Sequence, residues 1–327
     1  LRVSPIALTV FLFAGSTFAS ENAVLPSGVT GNFDTHSSAH YVIYDETRTG
    51  WAPEAADVLE CALEQFYDVW AAQSLALAAP RQPLVWLHFT ERKSFDAYAE
   101  AVDRVDLSWA EGYYSAKTHR VAVFSRRGAA RTDPSTSGSL EGIHASSDTH
   151  ALGVAAADDL PRLTHEAAHQ LAFESGLFAR GVMYPLWLSE GLALHFEADE
   201  AGRVGVGASH TARLARLAAA AREGRLVPLS RFLTLTSLPT EDPAAVDAIY
   251  DQAWGVFAML LDERPEALRD YLQLLARQRS GRRSEAARRA EIDATFGDLA
   301  ALDAAWARFL LEPEDGRTSE PALHVCR

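Results

Sequence analysis

The chain has 327 residues, 48% of them hydrophobic and 23% charged, with a formal net charge of −14 at pH 7. That composition belongs to a globular chain long enough to bury a sizeable core, in one large domain or two ordinary ones. The acidic excess is spread along the chain and argues against non-specific binding to nucleic acid or to an anionic membrane.

At the N-terminus, Arg2 precedes an apolar run from Pro5 to Phe18, with Thr17 and Ala19 at the small-residue positions before a cut. The run is short for a membrane span and has the pattern of a signal peptide over residues 1–19, cut between Ala19 and Ser20. An uncleaved anchor is the competing reading. The first reading predicts an exported protein, periplasmic or extracellular, with no stable membrane span in the mature chain. Residues 20–36 read as a polar linker.

His40–Glu46 and Pro83–Thr90 are rich in β-branched and aromatic residues and predict strands. Between them an amphipathic helix is expected over about 53–79, with Pro53 suited to its first turn. A shorter helix follows at Arg92–Val102. "EGYYSAKTHRVAVFS", Glu111–Ser125, then reads as a hairpin with an alternating second strand. Residues 37–157 thus form an N-terminal α/β part built on a small mixed sheet. Its stretch 125–157 is a polar surface loop. Residues 158–312 are predicted to be mainly helical, with helices over about 159–175, 186–198, 208–223, 243–263, 265–279 and 289–311. Residues 313–327 read as an irregular tail.

The two cysteines, Cys61 and Cys326, are too few for a cysteine-rich structural zinc site. They could pair and tie down the tail, as exported proteins allow. Equally, Cys61 packs as a small apolar residue of its helix. Both readings stand.

One segment carries chemistry. "RLTHEAAHQLAFESGL", Arg162–Leu177, places His165 and His169 four residues apart, on one helix face and one turn, roughly 6 Å, from each other. Two imidazoles in that arrangement can share one ion. Glu166 is rotated about 100° from His165, which suits a base acting on water rather than a ligand. Two histidines satisfied within an ordinary amphipathic helix would give the same string.

Twenty-one residues after His169 comes Glu190, within "YPLWLSEGLALHFE". Pro185 can start a second helix, and the intervening segment is long enough to turn back against the first. His165, His169 and Glu190 would then form a three-ligand site for one Zn2+ per chain, with the fourth position open for water. The bland alternative leaves Glu190 on a solvated helix face.

With both segments in view, the chain resembles the gluzincin clan of zinc metallopeptidases, with its order His-Glu-x-x-His followed by a distant Glu. More narrowly it is similar to the secreted bacterial peptidase-MA-like proteins, whose second helix reads Trp-x-x-Glu-Gly-x-Ala, here Trp187–Ala193. The likeness spans roughly residues 37–312. It implies a zincin-like α+β fold, His165, His169 and Glu190 as ligands, and Glu166 as general base. It also implies Tyr250, in "AIYDQAWGVF", as donor to the developing oxyanion. A core aromatic role for Tyr250 is equally compatible with its sequence. Tyr113 and Tyr114 are weaker donors, and their hairpin is the better candidate for a cleft edge where a peptide adds as a strand. The chain departs at Leu194, where relatives often carry an acidic residue that steadies a ligating imidazole. Glu197 or a backbone carbonyl is the candidate replacement.

Other features carry less. "GRVGVG" lacks the following helix of a nucleotide fingerprint, His144 and His150 sit in the polar loop, and "RQRSGRR" reads as a solvated basic turn. The sequence therefore predicts an exported zinc metallopeptidase acting on a peptide or protein substrate, with Glu166 as base to a zinc-activated water. The alternatives are a catalytically inactive metal-binding or surface-binding protein of the same fold, and a zinc hydrolase of non-peptide amides.

Overall fold

The computed structural model of the chain describes residues 28–47, 49–105, 110–124, 160–198, 211–240 and 242–311. Residues 1–19, expected to be a signal peptide, the whole 125–157 stretch with His144 and His150, "GRVGVG", and the tail with Cys326 lie outside the described residues.

The first part is a five-stranded mixed sheet. Its strands are β1 (Asp34–Ser37), β2 (Tyr41–Asp45), β3 (Leu84–Phe89), β4 (Gly112–Ser115) and β5 (Arg120–Phe124), in the order β1-β2-β3-β5-β4. The inner pairs β2/β3 and β3/β5 are parallel, and the outer pairs β1/β2 and β4/β5 are antiparallel. β3, flanked on both sides, is buried at five of its six positions, as a strand covered on both faces must be. Register sorts the rows by face. Ile43, Trp86 and Val121 stand side by side and enter the main core. The next row, Tyr44, Leu87 and Ala122, faces the other way into a smaller core.

Two helices explain the two cores. α1 (Trp51–Ala72) buries a stripe that includes Ala55, Leu59, Ala62 and Phe66 on the main-core side. α2 (Arg92–Tyr98), extended by a π-helical turn over Ala99–Asp103, sets Phe95 and Tyr98 against the smaller core. Asp45 and His88, partners in the β2/β3 register, meet side chain to side chain at 3.0 Å, and the Trp51 ring stacks on His88. The buried pair thus fixes the start of α1 over the sheet.

The remainder is mainly helical: α3 (Leu160–Glu174), α4 (Leu186–Phe196), α5 (Thr211–Arg222), α6 (Leu229–Phe232), α7 (Pro243–Glu263), α8 (Pro265–Ala276), α9 (Glu285–Phe296) and α10 (Leu299–Leu311). α7 is buried from Ala248 to Leu260 except at Tyr250, and it packs against α4, α5 and α8. No described helix is long and apolar enough to cross a membrane.

Three boundaries and one turn differ from the sequence reading. β1 overlaps the expected linker; "DTHS" is polar and becomes a strand through pairing with β2. α1 ends at Ala72, because Ser74 turns left-handed (φ 58°) and the backbone N–H of Ala78 reaches the Ser175 carbonyl at 3.1 Å. The expected helix 289–311 is two helices that begin earlier, with Ser284 capping α9 and Gly297 (φ 77°) at the break. The basic turn is anchored rather than wholly solvated: Arg283 donates to Met183 O at 2.7 Å and pairs with Glu291 at 2.6 Å.

Candidate metal centre

α3 is fixed on the sheet before it presents its histidines. Leu163, Ala167 and Leu171 are buried on its inner side, and α3 packs on α1. Gln170, fully buried, accepts from Trp86 Nε1 at 2.9 Å and donates to the carbonyls of Val85 and His119 at 3.4 Å. A buried amide satisfied this way sets both the depth and the rotation of the helix. His165 and His169 then face the opposite side, with ring centroids 4.9 Å apart.

α4 arrives from a pinned turn. After α3 the Phe178 and Tyr184 rings stack at 4.0 Å, and the Tyr184 hydroxyl accepts from Ala179 N at 2.6 Å. Pro185 precedes the helix, Leu186 N donates to Leu235 O at 2.7 Å, and Trp187 Nε1 donates to Leu233 O at 3.1 Å. Within α4 only Ser189 and Glu190 are not buried. A helix so apolar has one place for a carboxylate, and that place opens on α3. Gly191, next in the chain, lets α4 lie against the backbone of α7.

The two helices bring the ligand candidates together. Glu190 Oε2 lies 3.6 Å from His165 Nε2 and 3.7 Å from His169 Nε2. One donor atom from each of the three residues falls within 4.8 Å of the others. Around a tetrahedral zinc with bonds of about 2.0–2.1 Å, ligand atoms stand ~3.3 Å apart. The two His–Glu pairs therefore need movements of only tenths of an ångström to hold a zinc ion, and the two imidazoles, within 4.8 Å, close in further by rotating their rings. Two imidazoles and one carboxylate also form a donor set that zinc favours, with one position left open.

The charges agree with that fit. Burial alone would lower the His165 pKa, but its contacts with Glu190 and Glu197 and the Glu166 charge outweigh burial and raise it. Burial alone would raise the Glu190 pKa, and the two imidazoles instead hold it well below the usual carboxylate range. The imidazoles and carboxylates thus stabilise one another's charged forms, and a cation held between them would take over the role of the imidazole protons.

A cavity of about 660 Å3 opens on this cluster. Its walls include Gly112–Tyr114 of β4, Arg162 and Phe173 of α3, and Tyr250 of α7. Glu166 lines it beside the ligand candidates. The Tyr250 hydroxyl is kept protonated by burial and by the Glu190 and Glu166 charges, so this lining residue keeps a proton to donate. Tyr113 and Tyr114 are tied elsewhere: their hydroxyls donate to Asp103 at 2.7 Å and Glu174 at 2.9 Å. Their strand, however, is an edge of the sheet and forms the cavity rim.

Residues 159–280 are similar to a family described as a protein of unknown function (DUF1570). That stretch runs from the start of α3 past α8 and contains His165, Glu166, His169, Glu190 and Tyr250. No curated protein matches the chain.

Several contributors were not legible in the sequence. Arg213 and Arg216 of α5 and Asp251 of α7 form an ion-pair group behind the cluster. Thr164 accepts from Ala198 N at 2.8 Å and ties the end of α4 to α3. The only sequence signal was the position of Asp251 directly after Tyr250 and the two arginines three apart on one helix.

Proposed function

We propose that this chain is a zinc-dependent metallopeptidase of gluzincin type, with a zincin-like arrangement of sheet and helices and one Zn2+ held by His165, His169 and Glu190. One observation carries the reading: a carboxylate from α4 stands within 3.7 Å of both imidazoles of α3, at the floor of a cavity. Helix packing alone gives no reason to aim three metal-binding side chains at one point.

When bound, zinc supplies Lewis acidity to water and to a carbonyl. The protein's own groups do the rest. The Glu166 carboxylate takes a proton from water at its oxygen and passes it to the leaving amine. The Tyr250 hydroxyl donates to the substrate carbonyl oxygen as charge builds there. The rim strand β4 has one edge paired with β5, and no described strand pairs with the other. An extended peptide can add to that edge, which favours peptide over other amides. This preference for extended chains is what makes peptidase the better reading than a non-peptide amide hydrolase.

The test is metal analysis of the purified chain together with a broad peptide-cleavage screen. One zinc per chain and cleavage lost in Glu166→Gln support the reading. Full metal occupancy with no cleavage in wild type would replace it with a metal-binding protein of the same fold. Export is proposed on residues 1–19 and is checked by N-terminal sequencing of protein recovered outside the cytoplasm, where intact Leu1 would refute it.

A further inference from the structure

We propose that Glu197 is the positioning residue for the ligand His165, and that Arg213 holds Glu197 in place and couples it to the helix carrying Tyr250. The proposal rests on the metal-centre reading above and extends it to residues that touch neither metal nor substrate.

The two ring nitrogens of His165 face different carboxylates. Nε2 lies toward Glu190, and Nδ1 lies 3.2 Å from Glu197 Oε2. If Nε2 is the ligand atom, Nδ1 must carry the proton. A carboxylate accepting that proton fixes the tautomer and the ring plane, and makes the other nitrogen a better donor to metal. Leu194, one turn after Glu190, is buried and apolar and cannot do this. Glu197 can because α4 ends at Phe196, so Glu197 is extended (φ −63°, ψ 138°) and its side chain returns toward α3.

Glu197 does not act alone. Its second oxygen, Oε1, accepts from Arg213 Nη2 at 3.1 Å. Arg213 Nη1 donates to Asp251 Oδ1 at 3.1 Å, and Asp251 also receives Nε and Nη2 of Arg216 at 3.0 Å each. Beyond the imidazole, charge alternates along this chain: carboxylate, guanidinium, carboxylate, guanidinium. The inner members are largely shielded, with side-chain exposures of 19% for Glu197, 12% for Arg213 and 5% for Asp251. Shielded charges of one sign would repel and desolvate at a cost, and alternation is what allows them to be placed here. The chain also crosses elements, from α3 through the end of α4 and α5 to α7. Asp251 is the residue after Tyr250, so the orientation of His165 and the position of Tyr250 are referred to the same guanidinium.

A purely structural ion-pair group would weaken folding when cut and leave the metal unaffected. The experiment separates the two. Full-length wild type, Glu197→Gln and Arg213→Lys are compared for zinc affinity by chelator competition, for the visible spectrum of the Co2+-loaded protein, and for melting of the metal-free protein. Glu197→Gln is expected to lower zinc affinity about ten- to hundredfold, the usual scale for such partners, and to shift the Co2+ bands. Arg213→Lys, which keeps the charge but loses the two-pronged grip, is expected to give a smaller loss in the same direction. Unchanged affinity and spectrum in folded Glu197→Gln would overturn the proposal. Should that variant not fold, unchanged values in Arg213→Lys overturn it equally. Absence of zinc and cobalt from wild type would overturn the metal-centre reading and this proposal together, whereas metal bound equally by wild type and variants overturns this proposal alone.

Discussion

Gly191 of α4 lies so close to Ala253 of α7 that a Cβ on it would stand 2.4 Å from the Ala253 carbonyl oxygen. The same Cβ would stand 2.7 Å from Phe257 Cβ, so relief requires a helix to move. Because Glu190 precedes Gly191 and Tyr250 lies one turn before Ala253, this contact sets the carboxylate against the phenol. Gly191→Ala is expected to destabilise the fold by about 1–3 kcal/mol, the scale of an overpacked core, and to weaken zinc binding. Thermal unfolding and chelator competition check both. Wild-type values in both would show that the close approach is not what places Glu190.

Removal of one ligand should be nearly as damaging as removal of the site. His165→Ala leaves one imidazole and Glu190, and two ligands rarely hold zinc against water. The expected outcome is a fall from one zinc per chain to substoichiometric metal after dialysis, read by elemental analysis. Wild-type stoichiometry in His165→Ala would remove it from the ligand set.

Glu166 and the ligands should separate cleanly by mutation. Glu166→Gln keeps both imidazoles and Glu190, so zinc content should stay at the wild-type value while peptide turnover falls by at least about a hundredfold. Tyr250→Phe should give a milder loss, mainly in kcat, since its hydroxyl meets the charged oxygen only in the transition state. Steady-state kinetics on one cleaved peptide measures both. Equal kcat in wild type and Tyr250→Phe would return Tyr250 to the role of a wall residue.

The Asp45–His88 pair makes the sheet's stability depend on acid. Burial would raise the Asp45 pKa, but hydrogen bonds from His88 and Thr47, with the His88 charge, lower it below the ordinary value of 3.8. A carboxylate depressed in the folded state contributes stability that is present above its unfolded pKa and lost as pH falls through its folded one. Wild type should therefore lose more stability than Asp45→Asn between about pH 5 and pH 2. Denaturant unfolding across that range decides it, and parallel curves for the two proteins would contradict the assignment.

Local periodicity made the central strands, most helices and the His165-Glu166-x-x-His169 face legible, because each depends on residues close in sequence. The Glu190 helix was legible for the same reason, with Pro185 before it and an apolar run through it. What the sequence by itself determined was therefore which side chains could bind a metal and on which helices they ride. Tertiary structure decided whether they meet. β1 became a strand only beside β2, and α1 stopped short because Ala78 found a partner at Ser175. The Glu190 carboxylate reached both imidazoles because Gly191 let α4 sink against α7 and Gln170 fixed the roll of α3. Arg213 and Asp251 joined the site from helices with no motif of their own. Contacts across such separations depend on packing that leaves no periodic trace in the chain, and for that reason only the folded structure contains them.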